Sequence, residues 1–438
     1  MSPASRQDYF RLRAEWLRFK SHIFDAETDL PTFSAALDDI RRLLEEHGVL
    51  GVVYVDPGGA GYAEPLHGWQ VHDALIRAAA SALKALQAHG WLGPTDLVTT
   101  LGVRSDKFAV VVADSGQPAL DEGSLATKAA GIYEAIAGAL AEATPSGTAM
   151  SLVPDIGHAL LRFDSLMRAE RAASRALDEA MLASSRARSA VERTRVAALD
   201  ALLSARDIVT LYQPIQDLRD RRVLGHEVFN RGPAGSAFED PEQLFGVAAR
   251  AGRLVEVERL CRLRALETAR HHLPHGGKLF LNTSAATLDD AEVAGAAFVR
   301  RVDEVGLERG NVVLEITERV TPEQRKRSRV VLGELKRAGF RVAIDDMGAG
   351  YSGLQAIVDL EPDYMKFDVS LVRHIDRSLI KRSLLEALVE LSQKVGAEVI
   401  AEGIEDESEL LTLRDLGVRL GQGRFLASPE LVPGTRGR

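Results

Sequence analysis

Val312-Val-Leu-Glu-Ile-Thr-Glu318, followed by Arg341-Val-Ala-Ile-Asp-Asp346, is the stretch that decides how this chain folds. Each run is apolar and β-branched, which reads as a buried strand, and each ends in carboxylates. The residues between them, Arg325 to Ala338, carry a helical pattern. Strand, helix, strand at this spacing predicts a parallel pair joined by a crossover helix. Working outward, the same texture recurs. Strands are expected at Val209–Tyr212, Val223–Phe229, Lys278–Asn282, Val312–Thr317, Arg341–Asp345, Tyr364–Phe367 and Glu398–Ala401, with another helix over Ile380 to Val395. The sum is a parallel sheet, open or closed into a barrel.

Nearly every one of these strands ends in a metal-capable or charged residue: Glu227, Asn282, Glu315 with Glu318, Asp345 with Asp346, Lys366 and Glu402, with Gln422 near the end of the chain. In a parallel barrel the strand C-termini share one face, so residues scattered along the sequence converge on one pocket. A lone carboxylate at a strand end is ordinarily a solvated cap. Such an explanation has to hold separately at each strand. Converging carboxylates repel unless a cation neutralises them. Oxygen ligands without Cys or His favour Mg²⁺ or Mn²⁺, with Ca²⁺ as a competing, inhibitory ion. Adjacent aspartates suit a two-metal site that clamps phosphoryl oxygens. A lysine among them can hold a water, help to deprotonate it, or balance developing charge.

The 438-residue chain is 46% hydrophobic and 27% charged, with a formal net charge of -9. That composition fits a multidomain globular protein and gives no bulk attraction to nucleic acid polymers or anionic membranes. A single cysteine, Cys261, excludes an intrachain disulfide framework and a Cys-rich zinc site. No apolar run reaches membrane-span length and Met1 to Asp8 lacks a signal-peptide core, so a cytoplasmic protein without membrane insertion is expected. Tyr9 to His22 reads as an opening helix, Phe33 to His47 as an amphipathic helix and Val49 to Val55 as a buried strand. A helix from Val71 to Ala88, strands near Asp96–Leu101 and Phe108–Val112, a helix over Leu125–Ala141 and a last strand at Ala149–Val153 complete an α/β domain. From Leu160 to Ala205 there is neither Gly nor Pro, which predicts one long helix or two abutting ones. The expected division is residues 1–24, a leading helix; 25–176, the first domain; 177–206, a helical linker; and 207–438, the second domain.

The second domain resembles the EAL family of cyclic di-GMP phosphodiesterases throughout. The resemblance rests on Tyr212-Gln-Pro-Ile215, Glu227-Val-Phe-Asn-Arg231, Leu281-Asn-Thr-Ser284, Glu315-Ile-Thr-Glu318, Asp345-Asp-Met-Gly-Ala-Gly-Tyr-Ser352, Lys366-Phe-Asp368, Ala401-Glu-Gly-Ile-Glu405 and Gly421-Gln-Gly423. It implies a modified TIM-like (β/α)8 barrel that opens cyclic di-GMP to linear pGpG. It also implies that Glu227, Asn282, Glu315 and Asp345 ligate one metal and that Asp345 and Asp346 hold a second, with Glu402 and Gln422 reaching it directly or through water. Lys366 would position the attacking water, and Glu318 would brace the loop whose glycines, 348 and 350, let it move. Gln213, Glu227, Arg231 and Asp368 would contact substrate. The competing reading is a non-catalytic cyclic di-GMP receptor that signals to a protein partner. EAL domains commonly pair, and a homodimer is expected.

Residues 25–176 resemble a GGDEF domain, through Asp25-Ala-Glu-Thr-Asp-Leu-Pro-Thr32, Val53-Tyr-Val-Asp56, Asp73 and Ala169-Glu-Arg-Ala172. The signature itself is replaced by Arg104-Ser-Asp-Lys-Phe108, and Glu64 stands where an Asn that reads guanine is expected. Arg and Ser obstruct the backbone approach that two glycines allow, and Lys107 puts a cation where an acidic metal ligand belongs. A regulatory domain, not a cyclase, is implied, with weak GTP binding through Arg104 and Lys107.

Overall fold

The computed structural model describes residues 20, 23–58, 69–113, 120–143, 153–273, 276–317, 322–348 and 353–431. The chain divides into two units, Met1–Arg193 and Thr194–Arg438. The N-terminal unit contains α1 (Leu37–His47), β1 (Val49–Asp56), α2 (Trp69–Ala88), β2 (Leu97–Thr100), β3 (Phe108–Val112), α3 (Glu122–Ala143), β4 (Asp155–Arg162) and the start of α4 (Ala169–Ala205). Period-two alternation along β1 sends Val53 and Val55 to the side covered by α2 and α3, and Val52 and Tyr54 to the side covered by α1 and α4. The strands pair antiparallel in the order β2-β3-β1-β4. Gly157 is required where β4 meets α4, because a Cβ there would sit 2.1 Å from the Ala180 carbonyl oxygen.

Several expectations in this unit change. Residues 149–152 and the opening helix, apart from Lys20, lie outside the described residues. The last strand is Asp155–Arg162, and it takes residues 160–162 from the expected helix. Eight residue pairs with β1, from Val49–Arg162 to Asp56–Asp155, outweigh the helix propensity of Leu160, Leu161 and Arg162. Helix α1 begins at Leu37 rather than Phe33, and it ends where Gly48, at φ 74°, returns its N–H to the Leu44 carbonyl.

The C-terminal unit runs β5 (Val209–Asp217), β6 (Val223–Arg231), α5 (Pro241–Arg250), α6 (Leu254–His272), β7 (Lys278–Asn282), α7 (Ala296–Glu304), β8 (Val312–Thr317), α8 (Pro322–Arg337), β9 (Arg341–Met347), α9 (Gly353–Leu360), β10 (Tyr364–Phe367), α10 (Val369–Val372), α11 (Leu379–Val395), β11 (Glu398–Ala401), α12 (Glu407–Asp415), β12 (Leu420–Gly421) and β13 (Glu430–Leu431). Strands β5 to β12 pair in sequence order, and β12 returns to β5, closing an eight-strand barrel. The barrel is not wholly parallel: β5 runs antiparallel to both β6 and β12. The turn from Asp217 to Arg222 is too short for a crossover, so β5 and β6 must form a hairpin. Strands β5 and β6 extend past their expected ends, and β12, a two-residue strand, was not expected.

Side chains inside the barrel are separated by strand alternation from those facing the helices. Ile215, Phe280, Val313, Ala343, Tyr364, Ile400 and Leu420 form one buried interior cluster. Outward residues such as Leu281, Leu314, Val342 and Ile344 pack with Phe298, Phe340 and Leu385 from the surrounding shell. Phe280 and Tyr364 meet edge to face at 5.2 Å between ring centroids. Among the described residues no helix is long and apolar enough to cross a membrane.

Phe280→Ala should destabilise the C-terminal unit by about 3–5 kcal/mol, since the barrel wall cannot collapse into the void. Urea denaturation followed by tyrosine fluorescence measures this; a loss under about 1 kcal/mol would mean that the interior layer is not close-packed.

Candidate active site

The interior apolar cluster sets the position of the polar one. Two residues beyond Phe280, Val313, Ala343, Tyr364, Ile400 and Leu420 stand Asn282, Glu315, Asp345, Lys366, Glu402 and Gln422. On β5, which runs the other way, Gln213 precedes Ile215 by two residues. A step of two keeps the same face of a strand, so the polar residues form the next layer of the barrel interior, toward the C-terminal ends of the parallel strands. Glu227 joins this layer from within β6, not from its end, because β6 continues to Arg231.

Lys366 is the hub. Its fully buried Nζ lies 2.9 Å from Glu227 Oε2, 2.8 Å from Glu315 Oε1, 3.3 Å from Asp345 Oδ1 and 2.7 Å from Glu402 Oε1. The β9–β10 register shifts between Met365 and Phe367, an irregularity that falls on Lys366. Asn282 donates Nδ2–H to Glu227 Oε1 at 3.0 Å. Gln422 Nε2 donates to Glu227 Oε2 and, at 3.2 Å, to Glu402 Oε1.

Consecutive strand residues normally point to opposite faces. Asp346 escapes this by taking φ 58°, in the left-handed region that Asp tolerates. Oxygens of Asp345, Asp346 and Glu402 consequently lie within 4.8 Å of one another.

Four carboxylates against one ammonium leave the layer acidic. Burial, then repulsion from Glu227 and Asp345, pushes Glu315 well above the usual carboxylate range despite Lys366. Burial likewise raises Glu402, with Lys366 opposing and Asp345 and Glu227 reinforcing the shift. Burial opposes the charge on Lys366, yet Asp345, Glu227, Glu315 and Glu402 together hold it well above the ordinary lysine value. The donor set fits a hard cation. Its members are oxygens, and the buried Glu315 Oε2 and Gln422 Oε1 accept no hydrogen bond among the described residues.

The remaining expected residues sit elsewhere. Gln213 donates Nε2–H to the Ala427 carbonyl at 3.0 Å and lines a cavity of about 540 Å³ with Phe229, Gly403 and Glu405. Arg231 pairs with Glu239 at 3.1 Å. Asp368 caps α10, accepting from the Ser370 N–H at 2.8 Å. Glu318 and Gly350 lie outside the described residues, as does Glu64. The sequence reading missed Arg373 and Arg424, which line the same cavity as Gln213. Arg424 stood two positions past the flagged Gln422, whereas Arg373, paired with Glu405 at 2.9 Å, gave no local signal.

In the N-terminal unit the Lys107 ammonium lies 3.8 Å from Asp56 Oδ2. Arg104, at φ 59°, donates its N–H to buried Asp25 at 2.8 Å. Asp73 meets His72 at 3.5 Å.

The EAL domain family matches residues 196–429, more than half of the chain. This chain belongs to the EAL domain family. Among curated relatives, the probable cyclic di-GMP phosphodiesterase PdeG of Escherichia coli K12 is 29% identical over 51% of this chain and 45% of its own length. The cyclic di-GMP phosphodiesterase PdeL of the same organism is 30% identical over 45% of this chain and 54% of its own. The chain therefore spans about half the length of each relative. The FimX EAL domain of Xanthomonas citri, solved in complex with c-diGMP, superposes with a TM-score of 0.52 at 17% identity, over 56% of this chain and 97% of that one. At that identity the likeness speaks for the barrel fold alone.

The raised carboxyl pKa values fix a sign for the metal-free protein. Glu315 and Glu402 bind protons more tightly folded than unfolded, so their contribution favours the fold below the ordinary glutamate value of about 4.3. It is lost as pH rises through the raised folded values. Metal-free thermal melts should therefore show stability falling as pH climbs above about 4.3, and Glu315→Gln should flatten that fall relative to wild type. Parallel profiles for the two proteins would show that Glu315 does not carry the shift.

Proposed function

We propose that the C-terminal unit hydrolyses one phosphodiester bond of cyclic di-GMP, releasing linear pGpG. The observation that carries this reading is the fully buried Lys366 ammonium ringed by Glu227, Glu315, Asp345 and Glu402. The family membership and the names of the curated relatives support the substrate.

Asp345, Asp346 and Glu402 would hold one Mg²⁺ or Mn²⁺ ion, and Glu227, Asn282, Glu315 and Asp345 another, with Gln422 adding a carbonyl oxygen. Bound there, the ions neutralise phosphoryl oxygens and activate water. Ca²⁺ would compete for the same oxygens and inhibit. Lys366 stays protonated among its carboxylates, so its role is to donate a hydrogen bond that orients the attacking water and to offset charge on the phosphate. Glu402, whose Oε1 lies 2.7 Å from Lys366 Nζ, would accept the water proton. The water oxygen would bond to phosphorus as one P–O ester bond breaks, the proton taken up by Glu402 would pass to the leaving ester oxygen, and the ring would open. Gln213, Arg231 and Asp368, together with Arg373 and Arg424, would bind the nucleotide, and Glu318 would brace the loop after Asp346.

We read the N-terminal unit as a GGDEF-like regulatory domain that makes no cyclic di-GMP. Lys107 puts a cation beside Asp56, where a cyclase needs an acidic ligand, and phosphate-directed charge there leaves room for weak GTP binding. The protein is read as cytoplasmic and as a homodimer. The pairing surface proposed is α11, where Leu379 and Ile380 are 79% and 82% exposed.

Purified protein with cyclic di-GMP and Mn²⁺ should yield pGpG by chromatography, stop in excess EDTA, resume on adding Mg²⁺ or Mn²⁺, and produce no cyclic di-GMP from GTP. Lys366→Ala should lower kcat about 100-fold or more with KM little changed. Binding of cyclic di-GMP without turnover under every metal condition would favour a receptor instead.

Light scattering should report a dimer that Ile380→Asp converts to monomer. A monomeric wild type at about ten times the working concentration would dismiss the dimer, since assembly follows mass action.

A further inference from the structure

We propose that a second cavity in the C-terminal unit, between the outer face of β6–β7 and helices α5 and α6, binds a small monocarboxylate with an apolar body, its carboxylate held by Arg262. The cavity measures about 500 Å³, a size typical of small-molecule sites. Val228, Phe245, Leu254, Ala265 and Leu281 give it an apolar lining. Its rim reaches Phe229 and Asn282, so it borders the carboxylate layer, but Val228 and Leu281 face the helices and not the barrel axis.

Arg262 is what makes this a site for a charged ligand. The residue is 5% exposed, and its guanidinium stands 5.2 Å over the Phe298 ring and donates Nη2–H to Thr283 Oγ1 at 3.0 Å. Buried Nη1 has no partner among the described residues. A buried guanidinium N–H left unpaired in apolar surroundings is costly. Glu258, one turn earlier on α6 and also lining the cavity, partly offsets the charge of Arg262 but makes no hydrogen bond to Nη1. The Glu258 oxygens already accept from the Ser284 N–H and the Thr287 hydroxyl. An external carboxylate would satisfy Nη1, and the lining would take an alkyl or aryl body. A doubly charged phosphate fits worse, with one guanidinium available and a buried glutamate nearby.

Calorimetry on the full chain with sodium octanoate and with 1-octanol tests this independently of any catalytic activity. Octanoate should bind saturably at one site, with 1-octanol about tenfold weaker, because a charge-assisted hydrogen bond is lost. Arg262→Met should weaken octanoate to the octanol level. Cyclic di-GMP should leave octanoate binding unchanged. Equal affinity for acid and alcohol, unaltered binding in Arg262→Met, or no saturable heat would overturn the proposal. Competition by cyclic di-GMP would also overturn it, by making the cavity part of the nucleotide site. If Arg262→Met does not fold by circular dichroism, Leu254→Trp narrows the half-buried rim and should abolish octanoate binding. Retained binding in that variant would likewise refute it.

Discussion

A fully buried ammonium surrounded by four carboxylates is tolerable only in a closed cage, and the barrel of the C-terminal unit is that cage. Stripping water from Lys366 costs several kcal/mol, which only close and well-placed opposite charges can offset. Glu227, Glu315, Asp345 and Glu402 come from or just beyond different strands, so their distances to Lys366 depend on closure between β5 and β12. Opening the ring anywhere would leave some of these charges buried without partners. The acidic excess that remains after Lys366 is counted makes the same layer receptive to divalent cations.

The apolar layer beneath has its own part in this. Phe280, Tyr364 and their neighbours fill the barrel axis and keep water from reaching the polar layer from below. Burial first, and then repulsion among the carboxylates, raises Glu315 and Glu402 above the usual carboxylate range, while the same carboxylates hold Lys366 above the ordinary lysine value against its burial. Lys107 beside Asp56 in the N-terminal unit is a weaker version of the same theme. There a chain cation sits near an aspartate at 3.8 Å, partly exposed and open to solvent screening.

The sequence alone determined the strand–helix alternation, four of the seven expected barrel strands to the residue, and the polar residues beyond them. It could do so because buried parallel strands are written as apolar runs, and because Asn282, Glu315, Asp345, Lys366 and Glu402 each follow such a run directly. The tertiary structure decided the rest. The direction of β5 followed from its hairpin with β6 and was completed by antiparallel closure against β12, which is too short to show any period. Strand β4 took residues that local propensity gave to a helix, because pairing with β1 is a long-range effect. Glu227 was expected near the end of its strand, which in fact runs on to Arg231, and Arg373 and Arg424 could not be joined to Gln213, since closure in three dimensions, not spacing along the chain, brings them together. Nor could the sequence show that Arg262 keeps an unpaired N–H beside an apolar cavity, because that depends on which neighbours Glu258 and Thr283 have already taken.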